Sequence, residues 1–364
     1  MAFWILLTLA GLFLLTSLLP LVRQPHGIFR VFDFPRMQIF VVCLITGGFG
    51  LALVPFGSDL LLILGLLICA LTIQLIHILR FSPIWPRSVR KFTGASGTAP
   101  KLRMLVANVK QSNTDYQRLI DVVKRTQPDI ALFMETDAKW AKALGPVAED
   151  LETCIAHPLD NSYGMVLYSR LKLRKQQIRF LTNEEVPSFD CVVELDDGTV
   201  FRLLTVHPEP PVVHGDTIGR DAEIAKVAKL VREVDGPVIV TGDLNDVAWS
   251  PGTPRFVRIS RLLDPREGRG PYNSFDARYF FLRWPLDHIF LSSHFQVIAM
   301  KRMPFVGSDH FPMLYELALL PDGQPYREPE PTSSSDIEQA DDLVETEEAR
   351  DRRPVGHDWE KDED

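Results

Sequence analysis

Six short polar clusters in the sequence carry side chains that could perform acid–base or metal chemistry. They are Asn108, Glu135, His207, Gly242-Asp243-Leu244-Asn245, Asp287-His288 and Ser308-Asp309-His310. Most of them follow an apolar run of the length that forms a buried strand. Each cluster alone has an ordinary structural explanation, such as a turn at Asp243 or a satisfied core imidazole at His207. Their repeated occurrence at strand ends is what indicates a shared site.

Four carboxyl groups in these clusters would repel one another if the strand ends met at one edge of a sheet. They belong to Glu135, Asp243, Asp287 and Asp309. Two carboxylates 4 Å apart repel by about 4 kcal/mol at an effective dielectric of about 20, so a proton or a cation must relieve the repulsion. Oxygen ligands without cysteine favour Mg²⁺ or Mn²⁺ over zinc. A metal beside imidazoles suits phosphoester hydrolysis, because both neutralise the charge that develops on phosphorus.

The elements that must position these residues are short strands with helices between some of them. Strand-like runs occupy 102–109, 130–135, 165–169, 190–195, 200–207, 237–242, 286–292, 296–300 and 313–317. The apolar spacing of residues 115–125 and 222–234 predicts helices. Asp196-Asp197-Gly198 is a turn signal between two alternating strands, so an antiparallel hairpin stands among helix-crossed strands. We therefore expect an α/β domain with a mixed sheet.

In this order and context, the polar clusters resemble those of the endonuclease/exonuclease/phosphatase superfamily, which has the DNase I-like fold. The resemblance spans about residues 101–320. The apolar N-terminal segment, His207-Pro-x-Pro-Pro, Arg220 and Asn245-Asp246-x-x-Trp249-Ser250-Pro251 further resemble the membrane-anchored bacterial branch that includes glycopeptide-resistance proteins. The resemblance implies a four-layer α/β sandwich and Mg²⁺-dependent cleavage of a phosphoester bond.

The resemblance also implies a metal site, carried over position by position. Glu135 would be the principal ligand of Mg²⁺ or Mn²⁺, with Asn108 and Asp309 nearby. Lys110 stands where other members carry a carboxylate, which leaves a second metal position open.

Five further positions would be catalytic by the same resemblance. Asp243 would orient or deprotonate the attacking water, and Asn245 would hold this water and a phosphate oxygen. His310 would stabilise the pentacovalent phosphorus or protonate the leaving group, while Asp287 would accept its other N–H. His207 would contact a phosphate oxygen, although other branches carry Tyr there.

Three apolar stretches precede the domain, at residues 3–22, 37–57 and 60–79, each without Asp, Glu, Lys or Arg. At about 1.5 Å rise per residue, each can cross a hydrocarbon core of about 30 Å. We predict a membrane anchor at 1–80 with three transmembrane helices. The alternatives are a cleaved signal peptide for the first stretch, which lacks a basic N-terminal region, and a buried hairpin for the other two.

Basic residues follow the first and the third of these stretches, and their distribution predicts the orientation of the three helices. Arg23, Arg30 and Arg36 follow the first stretch, five Lys or Arg residues lie between positions 80 and 101, and the Ser58-Asp59 connection has none. The positive-inside rule then places both basic flanks, and the catalytic domain, in the cytoplasm. We expect a multi-pass protein of the inner (plasma) membrane.

Two segments outside the domain have compositions typical of linkers and tails. Residues 81–100 form a basic flank that ends in a Gly-, Ser- and Pro-containing stretch, which we predict to be a linker. Residues 321–364 are rich in Pro, Ser, Glu and Asp and have few large apolar side chains. We predict that this acidic tail is disordered.

The chain has 364 residues and a net charge of −8, which is unevenly distributed. Residues 325–364 carry five basic and fifteen acidic residues, whereas residues 1–100 carry seven basic and two acidic. Residues 101–324 therefore have a net charge of only −3. This balance argues against a strongly basic nucleic-acid-binding surface.

The main functional hypothesis is a membrane-anchored, Mg²⁺-dependent phosphoesterase that hydrolyses a phosphoester or pyrophosphate bond. Anchoring raises the local concentration of a membrane lipid or lipid-linked phosphate, so we expect a substrate of that kind. The alternative is a metal-dependent endonuclease or exonuclease that acts on DNA or RNA with the same residues. A third hypothesis, a catalytically silent membrane scaffold, is disfavoured by the intact set of acids, amides and imidazoles.

Overall fold

The structure is a computed structural model, and it describes residues 1–22, 24–95, 97–320, 323 and 327–358. Within these residues the strands, in chain order, are β1 (Lys101–Asn108), β2 (Ile130–Met134), β3 (Thr153–His157), β4 (Met165–Ser169), β5 (Lys172–Phe180), β6 (Pro187–Glu194), β7 (Val200–Thr205), β8 (Val238–Asp243), β9 (Asp287–Leu291), β10 (Phe295–Arg302) and β11 (Met313–Leu319). The helices are α1 (Ala2–Leu18), α2 (Gly27–Arg30), α3 (Arg36–Leu53), α4 (Ser58–Ile78), α5 (Tyr116–Thr126), α6 (Ala138–Ala143), α7 (Ile218–Arg232), α8 (Gly252–Ser260) and α9 (Ser334–Glu348).

The strands form two mixed sheets. The six-stranded sheet has the order β10-β11-β1-β2-β4-β3, and the five-stranded sheet has the order β5-β6-β7-β8-β9. In each sheet one pair is parallel, β1 with β2 and β7 with β8. The hairpin predicted around Asp196-Asp197-Gly198 is the antiparallel β6–β7 pair.

The two sheets pack face to face, and their inner side chains form one apolar core. Met104 and Leu132 of the six-stranded sheet share this core with Phe189 and Leu203 of the five-stranded sheet. Helices α5 and α6 cover the outer face of the first sheet, and α7, α8 and α9 cover that of the second. The layers are therefore helix, sheet, sheet and helix, which is the four-layer α/β sandwich expected from the sequence.

Three N-terminal helices are long and apolar enough to cross a membrane. They span Ala2–Leu21, Arg36–Leu53 and Ser58–Phe81, with mean hydropathies of 2.3, 1.7 and 2.5. These bounds agree with the predicted stretches to within a few residues. Gln74 of α4 lies at the centre of a polar chain between them, because it accepts from Arg36 and donates to Ser17.

The connection between α1 and α3 is docked on the α/β domain. Gly27 N donates to Gly215 O at 2.8 Å, and Thr217 N donates to Pro25 O at 2.8 Å. The indole N–H of Trp249 donates to Asp33 O at 2.7 Å. This connection, residues 24–35, is called the anchor loop below.

Much of the predicted linker at 81–100 lies against the domain rather than apart from it. Phe81, Ser88 and Val89 are buried, and Phe92 N donates to Val297 O at 2.9 Å. Before the Gly- and Ser-containing part, Val89 packs in the core between the two sheets, and Phe81 packs with Trp249 and Leu286.

The prediction of a disordered tail is wrong for residues 334–348, which form helix α9. Its N-terminus has a capping box at Ser333, and Ile337, Ala340 and Val344 pack against the α7 and α8 layer. Arg258 of α8 makes two hydrogen bonds to Asp336, at 2.6 and 2.9 Å. The acidic composition made this narrow apolar stripe hard to recognise. The stripe packs on apolar side chains of α7 and α8, and the acidic side chains beside it pair with basic residues of the same two helices.

Candidate active site

The predicted site residues lie where strand ends of both sheets meet. Asn108 ends β1, and Glu135 directly follows the parallel neighbour β2. Asp243 at the end of β8 pairs with Asp287 at the start of the antiparallel strand β9. His310 lies three residues before β11, which runs antiparallel to β1. The topology therefore brings these side chains to one edge of the sandwich.

Gly242 allows the close approach of chain segments at this edge. A Cβ atom at Gly242 would lie 1.8 Å from Val206 O, and its φ of +151° suits glycine. Asp243 directly follows Gly242, and its Oδ1 accepts from Asn245 N at 2.9 Å, which fixes the carboxylate in the turn. The Gly-Asp-x-Asn motif thus serves both backbone packing and side-chain orientation.

His310 bridges two buried carboxylates. Its Nδ1 lies 2.9 Å from Asp287 Oδ2, and its Nε2 lies 3.4 Å from Asp243 Oδ2. Burial alone would lower the pKa of His310, but the carboxylates of Asp243 and Asp287 outweigh it and raise the pKa to about 10. Burial raises the pKa of Asp287, and His310 opposes this. The arrangement favours an imidazolium that can give a proton.

Glu135 and Asn108 form the other half of the site. Asn108 Nδ2 donates to Glu135 Oε1 at 2.6 Å and to Asp243 Oδ2 at 3.1 Å. Burial, and then the charge of Asp309, raises the pKa of Glu135 to about 8. Asp309 is also 4.0 Å from Lys110 Nζ and 3.7 Å from Arg278. Asn108 is thus a hydrogen-bond bridge between two carboxylates in this arrangement, and its Oδ1 accepts from Lys110 N.

Among the residues that the structure describes, two groups of side chains at this site could hold a divalent cation. Ligand atoms of Asp243, Asp287 and His310 lie within 4.8 Å of one another. Both ring nitrogens of His310 already face these carboxylates, so an ion bound by either nitrogen would displace one of the two contacts. Glu135 and Asp309 offer oxygen atoms at the cavity surface, where a cation would relieve their repulsion. The donor set fits a hard cation best at the Glu135 side.

His207 lies in the same site but in a different protonation state from His310. It is buried, its Nδ1 has no hydrogen-bond partner among the described residues, and its ring lies 5.6 Å from that of Tyr163. Burial lowers the pKa of His207 to about 4. A neutral imidazole with a free nitrogen can bind a phosphate oxygen by one N–H or accept a proton.

Asn245 is held at the cavity by a buried ion-pair network. Its Nδ2 donates to Pro208 O at 2.9 Å, and its own carbonyl oxygen accepts from Arg220 at 3.1 Å. Arg220 also pairs with Asp221 at 2.8 Å and with Asp246 at 3.3 Å. The motif that begins at Asn245 is therefore locked to the start of α7.

These side chains border a cavity of about 360 Å³. Five of the eight predicted site residues line it directly, namely Glu135, His207, Asn245, Asp309 and His310. The other three, Asn108, Asp243 and Asp287, make hydrogen bonds or charge contacts to them from behind. All eight predicted residues therefore belong to one cluster.

His288 lies outside the cluster, as the period of two along a strand predicts for the neighbour of Asp287. Its Nε2 lies 2.8 Å from Asp246 O and its Nδ1 lies 2.7 Å from Arg266. It is a structural residue behind the Asp246 turn.

Several residues of the site were not found from the sequence. The ring of Phe275 lies 4.9 Å from that of His310, and Ser274 Oγ accepts from Asp287 N at 3.1 Å. Tyr163 and Phe34 also line the cavity. They lie in irregular segments far apart in the sequence, and nothing in their local pattern indicated a site.

The sequence model of the Endonuclease/Exonuclease/phosphatase family matches residues 105–310, which contain all eight residues. The chain belongs to this family, whose members are metal-dependent phosphoesterases and nucleases. Among curated proteins, none matches the chain in sequence.

Solved structures with the same fold come from distant relatives. D. rerio TDP2 complexed with single strand DNA product is 18% identical, with a TM-score of 0.52, over 60% of this chain and 98% of that chain. The human Nocturnin catalytic domain with bound sulfate anion is 17% identical, with a TM-score of 0.50, over 61% and 95%. At such identities the likeness shows the fold alone.

Proposed function

We propose that the chain is a membrane-anchored, Mg²⁺- or Mn²⁺-dependent phosphoesterase that hydrolyses a phosphoester or pyrophosphate bond of a lipid-linked substrate. Membership of the family supports hydrolysis of a phosphoester bond. The three apolar N-terminal helices support a location at the membrane, and the excess of basic residues at both flanks supports a cytoplasmic active site.

The position of Phe34 is the observation that supports a lipid-linked substrate. This residue of the anchor loop lines the same cavity as Glu135, His207 and His310. The ring of Phe34 lies 5.9 Å from that of Trp284, which stacks on Phe275 beside His310. The membrane anchor therefore contributes a wall of the catalytic cavity, and a lipid headgroup would reach that cavity without leaving the surface.

Each residue of the cluster has its own role in the proposed hydrolysis. Asp243 orients and deprotonates the attacking water; its carboxylate lies between Asn108 and His310, directly behind the cavity lining. His310 stabilises the charge on phosphorus and gives its Nε2 proton to the leaving oxygen, while Asp287 retains the Nδ1 proton. His207 and Asn245 bind nonbridging phosphate oxygens from the other side of the cavity.

The metal would be held by Glu135 and Asp309, and it supplies positive charge to the phosphate oxygens when bound. Lys110 lines the cavity beside Asp309, so its ammonium group offers a second positive charge. This charge stands where other members carry a carboxylate, which favours one metal ion rather than two.

The full chain in lipid nanodiscs tests this function directly. Three substrates are compared in the presence of Mg²⁺: a polyprenyl pyrophosphate, a phospholipid and supercoiled DNA. We expect turnover of a lipid substrate that is lost with a chelator. Asp243→Ala and His310→Ala should each reduce it at least 100-fold.

Asp121→Ala is the matched control, because Asp121 is an exposed carboxylate on α5. It should retain full activity. Plasmid nicking without any lipid turnover would replace the proposal by the nuclease alternative, and undiminished activity of Asp243→Ala would refute the assignment of the water-activating group.

A further inference from the structure

A short loop beside the cavity presents four large apolar side chains to solvent. The exposed fractions are 81% for Phe280, 56% for Phe281, 49% for Tyr279 and 37% for Leu282. Consecutive exposed aromatic residues of this kind mark an interaction surface. We call residues 277–283 the aromatic loop.

The base of the aromatic loop is fixed to the catalytic residues. Ala277 N donates to Asp309 O at 2.6 Å, and the guanidinium of Arg278 lies 3.7 Å from the Asp309 carboxylate. Asp276 N donates to Leu282 O at 3.0 Å, which closes the loop. Because His310 directly follows Asp309 in the chain, the tip of the loop has a defined position relative to His310.

The same loop contacts the end of a membrane-spanning helix. Gln38 Nε2, in the first turn of α3, donates to Phe281 O at 3.0 Å. Val41 and Val42 lie one turn further along α3, and their side chains are 52% and 40% exposed. At about 1.5 Å rise per residue, this turn is only about 5 Å from Gln38 along the helix axis. The aromatic loop thus lies at the depth where the apolar span begins.

The composition of the loop suits the water–lipid boundary. Aromatic side chains concentrate at this boundary, and basic side chains beside them pair with lipid phosphates. Arg278 precedes the four apolar residues, and Arg283 follows them, with its guanidinium 5.0 Å from the Phe311 ring. The order of residue types is that of an interfacial anchor.

We propose that residues 279–282 insert into the headgroup layer of the membrane that holds α1, α3 and α4, at the rim of the catalytic cavity. The partner is the lipid surface itself, and the inference rests on the membrane-anchored function proposed above. The loop would set the height of the cavity, so that a phosphate at the bilayer surface meets Asp309 and His310 directly.

A fluorescence measurement tests the insertion without any need for activity. Phe280→Cys is made in a Cys69→Ser, Cys154→Ser background, because these two native thiols are exposed. The protein is labelled with an environment-sensitive fluorophore and reconstituted in nanodiscs of phosphatidylcholine and phosphatidylglycerol. We expect strong quenching by lipids that carry a spin label near the headgroup, and at least fivefold weaker quenching by aqueous iodide than for the control.

Val200→Cys in the same background is the control. Val200 is 44% exposed and starts β7, at the opposite end of that strand from His207. Its label should be quenched by iodide and not by the lipids. Equal iodide quenching at positions 280 and 200 would overturn the insertion, whatever the substrate of the enzyme.

A kinetic measurement then tests the link to the cavity. Phe280→Ser combined with Phe281→Ser should raise KM for a lipid substrate in nanodiscs several-fold and leave kcat for a soluble phosphodiester unchanged. An unchanged KM for the lipid substrate would overturn the role of the loop at the rim. Absence of turnover by the unmodified protein would instead refute the proposed function, and the fluorescence result would stand independently.

Discussion

His310 and Asp287 form a buried pair in which Nδ1 lies 2.9 Å from Oδ2, and Asp243 lies 3.4 Å from the opposite ring nitrogen. Asp287 is held by Ser274 Oγ through its backbone N–H. The pair therefore has a fixed orientation before any substrate binds. In the proposed reaction the proton on Nδ1 stays with Asp287, so the proton that leaves is the one on Nε2, on the side of the ring next to Asp243.

Asp287→Asn tests this division of protons. The amide preserves the size of the side chain but removes the negative charge that stabilises the imidazolium. We expect kcat to fall by about 100-fold or more, with little change in KM, because the loss affects the transition state. Steady-state kinetics on the preferred substrate measures it, and Asp121→Asn is the control. A kcat close to that of the unmodified protein would contradict the proposed role.

Glu135→Gln tests the metal site by a measurement other than activity. A ligand that binds only the folded state raises the unfolding temperature, and at 100 times its Kd the gain is about 2.7 kcal/mol. We expect millimolar Mg²⁺ to stabilise the unmodified protein and to have little effect on the variant. Thermal unfolding with and without Mg²⁺ measures this. Glu149→Gln, at an exposed position, should respond to Mg²⁺ as the unmodified protein does.

Glu223 should make the stability of the fold depend on pH. Burial raises its pKa to about 8, although Ser188 Oγ donates to it at 3.0 Å. In the unfolded chain an ordinary glutamate has a pKa of about 4.3. The unfolded state therefore loses its proton first, and stability falls as the pH rises from about 4.3 to about 8.

Glu223→Gln removes this titration. We expect it to stabilise the protein at pH 8 by an amount on the order of 5 kcal/mol and to change little at pH 4. Unfolding temperatures across this pH range measure the difference. Glu233→Gln, at the exposed end of α7, should have no such pH-dependent effect, and parallel curves for Glu223→Gln and the unmodified protein would rule out the burial argument.

Arg352 should fix the segment that follows α9. Its guanidinium binds Glu209 at 2.8 and 2.9 Å and Glu347 at 2.6 Å, and both carboxylates are almost fully buried. Arg352→Ala removes this ion pair from the buried Glu209 and leaves Glu347 with Arg350 alone, which costs about 3 kcal/mol. We expect faster cleavage of residues 349–358 in limited proteolysis.

Arg353→Ala is the matched control for this prediction. Its ion pair with Glu185 is exposed, with side-chain exposures of 57% and 35%. Exposed pairs contribute less than about 1 kcal/mol, so cleavage should hardly change. Equal protection in both variants would show that the buried pair does not hold the segment.

The sequence predicted the cluster because its members lie at or next to strand ends, with Asn108 and Asp243 ending strands, Glu135 following one and Asp287 starting one. Asn108 and Glu135 come from one sheet and Asp243 and Asp287 from the other, so a common edge of the two packed sheets is enough to bring them together. The apolar spans were equally readable, since their length and composition are set by the bilayer. Both kinds of apolar run, in the strands and in the membrane spans, are local signals, and they do not depend on which surfaces pack together in the folded protein.

Features that depend on contacts between distant segments were not predictable. β5 has seven exposed residues in its nine and forms the edge of its sheet, so its composition is typical of a loop. Helix α9 needed the basic surface of α7 and α8 to compensate its charge. Phe34 reaches the cavity only because the anchor loop docks at Trp249 and Thr217. No local sequence pattern predicts that two such distant segments contact each other.

The cavity takes walls from both ends of the polypeptide. Phe34 comes from before the catalytic domain, and Val355 and Gly356 come from after it, where Tyr163 Oη donates to Val355 O. A soluble fragment cut to the family region would lack these walls while keeping its acids and imidazoles. The cleft of the fragment would be wider than the native one, and the fragment would accept substrates that the intact enzyme excludes. Substrate selectivity measured on the fragment would therefore differ from that of the full chain.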